Sequence, residues 1–116
     1  MLRAFLWLTL AALVAAGAAH AHHGWSEYDS SHVLNLTGTI KESGYEHPHG
    51  HVRLDTPGKP WNVVLAPPSR MQARGLPAEA LKPGSTVSVV GYPNRNKPDE
   101  MRAERIYVDG KAIELR

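Results

Sequence analysis

Short runs of alternating apolar and polar residues dominate the chain from Leu34 onward. Leu34, Leu36, Gly38 and Ile40 alternate with Asn35, Thr37, Thr39 and Lys41. A period of two predicts a strand with one buried face. Glu42 to Gly50 breaks the period and predicts a loop. His51 to Thr56 alternates again, with Val52 and Leu54 inward, and Pro57-Gly58-Lys59-Pro60 predicts a turn. Trp61 to Leu65 then predicts a third strand, with Trp61, Val63 and Leu65 on one face. The turn is short enough to make these two strands a hairpin.

Pro67-Pro68-Ser69 opens a different pattern. Ser69 is a candidate N-cap for a short helix carrying Met71, Arg74 and Leu76, and Gly75 and Pro77 limit it to about two turns. Ala78 to Leu81 can add one more turn. Ser85 to Tyr92 predicts a fourth strand with Val87 and Val89 on one face, and Met101 to Val108 a fifth. The fifth changes phase between Met101, Ala103 and Ile106, Val108, which predicts a bulge near Glu104-Arg105. Asp109-Gly110 is a strong hairpin turn into Ala112 to Leu115. The expected interior is Leu36, Ile40, Val52, Leu54, Val63, Leu65, Val87 and Val89.

This order predicts an all-β fold with a small α component. It is a five-stranded, OB-like antiparallel barrel with one short helix between strands three and four, closed so that few edges are exposed. A small open sandwich of the same strands is the alternative. Residues 34–116 are expected to form the barrel domain, and 22–33, which show no period, an extended N-terminal arm.

The first 21 residues, MLRAFLWLTLAALVAAGAAHA, read differently. Arg3 gives a positive start, Phe5 to Ala16 an apolar stretch, and Ala19-His20-Ala21 an A-x-A site, the three marks of a cleaved signal peptide. Processing is expected before His22, or otherwise before His20. The competing reading is an uncleaved anchor, but the apolar stretch is shorter than the ~20 residues that span a bilayer. The expected location is periplasmic or secreted, with no membrane span after cleavage.

Composition narrows the function classes. The chain has no Cys, which excludes disulfide scaffolds, thiolate metal sites and a cysteine nucleophile. Its net charge of +2 gives no basis for a nucleic-acid partner. Beyond residue 21 the chain carries nine Gly and nine Pro, which suits short strands joined by turns.

Histidine is the remaining chemistry. His22 and His23 form one cluster, His47, His49 and His51 a second, and His32 lies between them. Imidazole suits copper, zinc and nickel, and copper is favoured. If the chain begins at His22, its α-amine and Nδ1 can chelate one metal, with a loop imidazole completing the set. If it begins at His20, His22 becomes the third residue, and the amine, two amides and an imidazole can form a square-planar Cu(II) or Ni(II) site. The alternative is a metal-free periplasmic module that holds a protein or a glycan. Glu27, Asp29, Glu42 and Glu46 are paired with no nucleophile, and Ser26, Ser30 and Ser31 lack a nucleophile elbow; an enzyme is the least supported class. Trp61 reads as a core residue by its strand phase. Trp25 and Tyr28 are placed to pin the arm onto the barrel and hold the histidine pair near the loop. Arg70, Arg74, Arg95, Lys97, Arg102 and Arg105 read as a solvated face.

The segments His22-His23-Gly24-Trp25-Ser26-Glu27-Tyr28-Asp29, Leu36-Thr37-Gly38-Thr39-Ile40, Pro48-His49 and Val52-Arg53-Leu54-Asp55, together with Trp61, carry a family resemblance. So do Leu81-Lys82-Pro83-Gly84 and Val87-Ser88-Val89-Val90-Gly91-Tyr92-Pro93. The chain resembles the bacterial exported family called domain of unknown function 6152. That resemblance implies location and domain limits, and no activity. Asn commonly precedes Pro-His in that family; here His47 stands there and adds an imidazole.

Overall fold

A computed structural model describes residues 24–116. The predicted signal peptide, His22 and His23 lie outside the described residues. Six strands and one helix follow in order: β1 (Leu34–Gly44), β2 (His51–Asp55), β3 (Pro60–Val64), α1 (Pro68–Ala73), β4 (Thr86–Pro93), β5 (Glu100–Val108) and β6 (Lys111–Glu114). Single 3-10 turns form at Trp25–Glu27 and Ala78–Leu81.

The strands lie in the order β3-β2-β1-β4-β5-β6, and β3 also pairs with β5. That pairing is parallel, through Asn62–Glu100, Val63–Met101 and Val64–Arg102. It closes strands one to five into a barrel, with β6 continuing the sheet outside β5. The small β-barrel expected from the alternation is therefore present, with its helix between β3 and β4.

β1 serves two partners. Residues 34–39 pair with β4 and residues 39–44 with β2. The register to β2 steps from Ile40–Leu54 to Glu42–Arg53, so Lys41 is an extra residue. This bulge bends the strand around the barrel. Glu42, Ser43 and Gly44, expected in the loop, continue the strand beyond it. The second bulge falls where the phase slip put it. Val90 pairs with Arg105 and Gly91 with Ala103, leaving Glu104 unopposed. The Glu104 carbonyl is taken instead by the amide of Leu115 at 2.8 Å.

Turn chemistry follows the sequence closely. Asp109 and Gly110 have φ of 51° and 78°, the pair of left-handed residues that a tight hairpin turn requires. The helix differs from expectation at its start. Pro67 occupies the N-cap position and makes no side-chain cap bond, so Ser69 lies inside the first turn. Pro68 begins the helix because its fixed φ suits that position and its missing N–H is no loss there.

The core comprises Ile40, Val52, Leu54, Val63, Leu65, Ala66, Val87, Val89, Met101, Ala103 and Ile106 from the barrel, plugged by Met71, Leu76 and Leu81 from the crossover between β3 and β4. Ile113 and Leu115 join it from the closing hairpin. Leu36 and Trp61 are only partly buried and pack against this core from its margin. The Lys59 ammonium covers the Trp61 ring, 4.3 Å from its centroid. No helix among the described residues is long and apolar enough to cross a membrane.

Candidate functional site

Three segments without regular alternation meet at one end of the barrel. The first is the β1–β2 loop, residues 45–50, which holds two of the loop histidines. Gly50 anchors it, donating its N–H to the Ala66 carbonyl at 2.9 Å and accepting from the Leu65 amide at 2.8 Å. A side chain at Gly50 would run into the Met71 methyl, so glycine is what lets the loop sit against α1. The Tyr45 hydroxyl ties the other end of the loop to the Leu76 carbonyl. The His47–Pro48 peptide bond is cis.

The second segment is the β4–β5 loop, residues 94–99. Asn94 organises it: its side-chain oxygen accepts from the amides of Asn96 and Lys97, both at 2.9 Å. Its amide nitrogen donates to Glu100 Oε2 at 3.1 Å.

The third segment is the N-terminal arm, which lies across that loop. Tyr28 forms a β-bridge with Asn94. The Asp29 amide donates to the Pro93 carbonyl and the Arg95 amide to the Glu27 carbonyl, both at 2.9 Å. Two rings fasten it. Tyr28 is buried and donates its hydroxyl to Glu100 Oε2 at 2.6 Å. Burial, and then Glu100, push the Tyr28 pKa well above its ordinary value. Trp25 lies under the guanidinium carbons of Arg102 and Arg116, 4.2 Å and 4.5 Å from its ring centroid, each a favourable cation–π contact. It meets Tyr28 and Tyr92 edge-on at 6.4 Å and 6.2 Å. Trp25 and Tyr28 therefore pin the arm, in keeping with their place in the sequence.

Between these segments a cleft of about 360 Å³ opens. The arm contributes Glu27 and Tyr28, the loop Pro48, His49 and Gly50, and the strands His51, Asn62, Val63, Val64, Glu100 and Arg102, with Lys97 at the rim. His49 and His51 thus face one cleft. Gly44 makes room for His51, whose ring occupies the space a Gly44 side chain would take. His47 is exposed and does not line the cleft. His32 is exposed too, 3.7 Å from Asp29 Oδ2. Among the described residues no three His, Cys, Asp or Glu side chains are grouped to hold a metal ion.

Arg102 departs from the sequence expectation. It is 5% exposed, not on a solvated face. Its Nη2 stands 3.3 Å from His49 Nε2, and a guanidinium can only donate, so that ring nitrogen accepts. Burial lowers the pKa of Arg102, and the cations Arg70 and Arg116 push the same way, but a guanidinium stays charged in proteins. Strand parity sets Arg102 opposite to Met101 and Ala103, outside the barrel. Nothing in the local pattern says that the arm covers that outer face. Glu100 and Asn94, which orient Tyr28, lie in a stretch whose sequence is merely polar.

The fold recurs in solved structures. The crystal structure of TiaS in complex with an isoleucine tRNA and ATP matches with a TM-score of 0.51 and 21% identity, over 72% of this chain and 18% of that one. The ZRD-deleted mutant of TiaS in complex with agmatine matches with a TM-score of 0.50 and 23% identity, over 72% of this chain and 24% of that one. At this identity the likeness shows a shared fold alone, and the chain spans about a fifth to a quarter of the solved chains' length. No curated protein matches this chain. The histidine-bearing start of the arm, the Pro-His loop and the barrel strands are the segments behind the family resemblance, and residues 10–101 match the model of a family of unknown function, DUF6152; the chain belongs to that family.

Proposed function

We propose that this protein is an exported binding module that holds a copper ion in the cleft between the β1–β2 loop and the N-terminal arm. The observation that carries the reading is the shared cleft: His49 and His51 line it together with Glu27 and Tyr28 of the arm. The arm begins two residues before Gly24 with the His22-His23 pair. The ligands in this reading are His51 and the His22-His23 pair, with the α-amine of His22 once the leader is removed, and His49 joins them when a metal displaces the Arg102 N–H from its Nε2. His47 adds a further imidazole at the outer side of the loop. A ligand set of amine and imidazoles suits Cu(II) as well as Zn(II) and Ni(II).

The competing reading, a metal-free module for a periplasmic protein or a glycan, calls for an exposed apolar or aromatic patch. Among the described residues the exposed large hydrophobics are Val33 and Tyr107, which gives that reading less support.

Calorimetric titration of Cu(II) into protein beginning at His22 tests the proposal. Binding tighter than roughly 10 μM (about −7 kcal/mol) is expected, with strong weakening in His49→Ala and in a variant with one residue added before His22. The added residue keeps every imidazole and moves the amine, so unchanged affinity there would confine the site to the loop. Absence of binding to Cu(II), Zn(II) and Ni(II) would remove the metal reading.

A further inference from the structure

The register of β3 on β5 sets Asn62 beside Glu100 and Val64 beside Arg102. Strand parity puts these four side chains on one outer face, which is the floor of the cleft. The arm brings Glu27 and Tyr28 to its wall. We infer that this cleft binds a small zwitterion of the amino-acid type, with the ligand's ammonium on Glu27 and its carboxylate on the Arg102 side. The inference stands apart from the copper reading and needs no metal. The carrying observation is that a carboxylate from the arm and a buried guanidinium from β5 line one enclosed space.

Arg102 is fixed in that lining. Its guanidinium carbon lies 4.2 Å over the Trp25 ring, and its Nη2 donates to His49 Nε2 at 3.3 Å. It is 5% exposed, so water screens its charge poorly. The planar guanidinium matches a carboxylate in shape as well as in charge. Lys97 adds a second cation at the rim. On the acidic side, Glu100 is already engaged. Its Oε2 accepts from Tyr28 and Asn94, and its Oε1 stands 4.0 Å from Lys97 Nζ. The Glu27 carboxylate enters no hydrogen bond or ion pair among the described residues, which leaves it for a cation from outside. Charge then selects the ligand by repulsion as well as attraction. A simple anion would suit Arg102 and meet Glu27 unfavourably. A simple amine would suit Glu27 and meet Arg102 unfavourably. A molecule carrying both charges satisfies both. The volume of about 360 Å³ is at the small end of the ~300–1,000 Å³ typical of ligand clefts, which fits a metabolite better than a segment of polymer.

The test uses the purified protein freed of metal with EDTA. The twenty common amino acids are screened singly by thermal shift, and the strongest is titrated by calorimetry. A Kd below about 1 mM is expected for at least one. Its decarboxylated amine and its deaminated acid should each bind the parent protein about tenfold more weakly, since each loses one charge-assisted contact. The amine probes the Arg102 end without altering Arg102. Glu27→Gln should weaken the amino acid by about tenfold as well. The same variant should bind the deaminated acid more tightly than the parent does, because the repelling carboxylate is gone; a misfolded variant would not gain affinity. Failure of all twenty to bind overturns the inference. So does a deaminated acid that binds the parent as tightly as the amino acid, which would make the cleft a plain anion site, and so does an unchanged affinity in Glu27→Gln.

Discussion

The Tyr28 hydroxyl donates to Glu100 Oε2 at 2.6 Å across 72 positions of sequence. Tyr28 belongs to an arm without periodicity and Glu100 to the start of β5, so this bond helps join the arm to the barrel, and the Asn94 amide donates to the same oxygen and orients it. Hydrogen bonds to charged groups contribute more than neutral ones. Tyr28→Phe should therefore destabilise the protein by about 1.5 kcal/mol, read as a lower urea midpoint with an unchanged m-value.

The same bond gives an alkaline signature. The native pKa of Tyr28 is raised by burial and by Glu100, so the folded state holds the phenolic proton more tightly than the unfolded chain. Its contribution is complete below the unfolded value of ~10 and is lost as pH rises from there toward the folded value. The stability difference between the parent protein and Tyr28→Phe should shrink above that pH. Urea midpoints of both proteins on either side of it provide the check. Tyr45 and Tyr92 are raised too, but they are common to both proteins and cancel.

Trp25 should be the second fastening of the arm. Trp25→Ala removes two cation–π contacts and two ring contacts, an expected cost of about 2 kcal/mol. The loss should be local before it is global. Hydrogen exchange at the Asp29 amide, which donates to Pro93, should accelerate far more than exchange at the core amides of β4. Equal acceleration at both would show that the arm and the barrel open as one unit.

Gly91 and Gly58 should respond oppositely to alanine. At Gly91 a Cβ would collide with the Arg102 carbonyl oxygen and lie 2.8 Å from Ala103 Cα. Both are backbone atoms at the β4–β5 bulge, so the strands must separate, and a loss of about 3 kcal/mol is expected. At Gly58 nothing lies within 4 Å. There Ala should be neutral or stabilising by about 0.5 kcal/mol, through reduced freedom of the unfolded chain. Thermal unfolding of the two variants separates them directly.

Val89 checks the strand phase. It is fully buried in the barrel core, and Val89→Asp places a carboxylate there with no partner. The expected cost exceeds about 3 kcal/mol, enough to unfold a domain of this size under ordinary conditions. Retained stability by circular dichroism would mean that β4 faces the other way.

Alternation and turn chemistry made most of the barrel legible. Val52 and Leu54, Val63 and Leu65, and Val87 and Val89 fall inside because a strand exposes its two faces with period two. The Asp109-Gly110 turn and the Glu104 bulge could be read for the same reason, since each is a local demand on backbone conformation. Lys41 gave no such sign. Its bulge exists because β1 must bend to reach two partners, which is a property of closure and not of the strand itself. Trp61 kept its strand phase yet stands at the margin of the core, because Lys59 covers the ring from solvent.

At the cleft the division is sharper. The sequence by itself determined the residue types: a histidine pair before the arm, a Pro-His loop, and aromatics able to hold the arm down. Only the tertiary structure decided that His49 and His51 share a cleft while His47 faces away. It also decided that Arg102, outward by strand parity, is buried beneath Trp25 and beside His49. Residues 25, 49 and 102 are far apart along the chain, and no local period relates them. Their meeting follows from the register of β3 on β5 and from where the arm crosses the β4–β5 loop. Both are set by packing between distant segments, which the pattern along one strand does not encode.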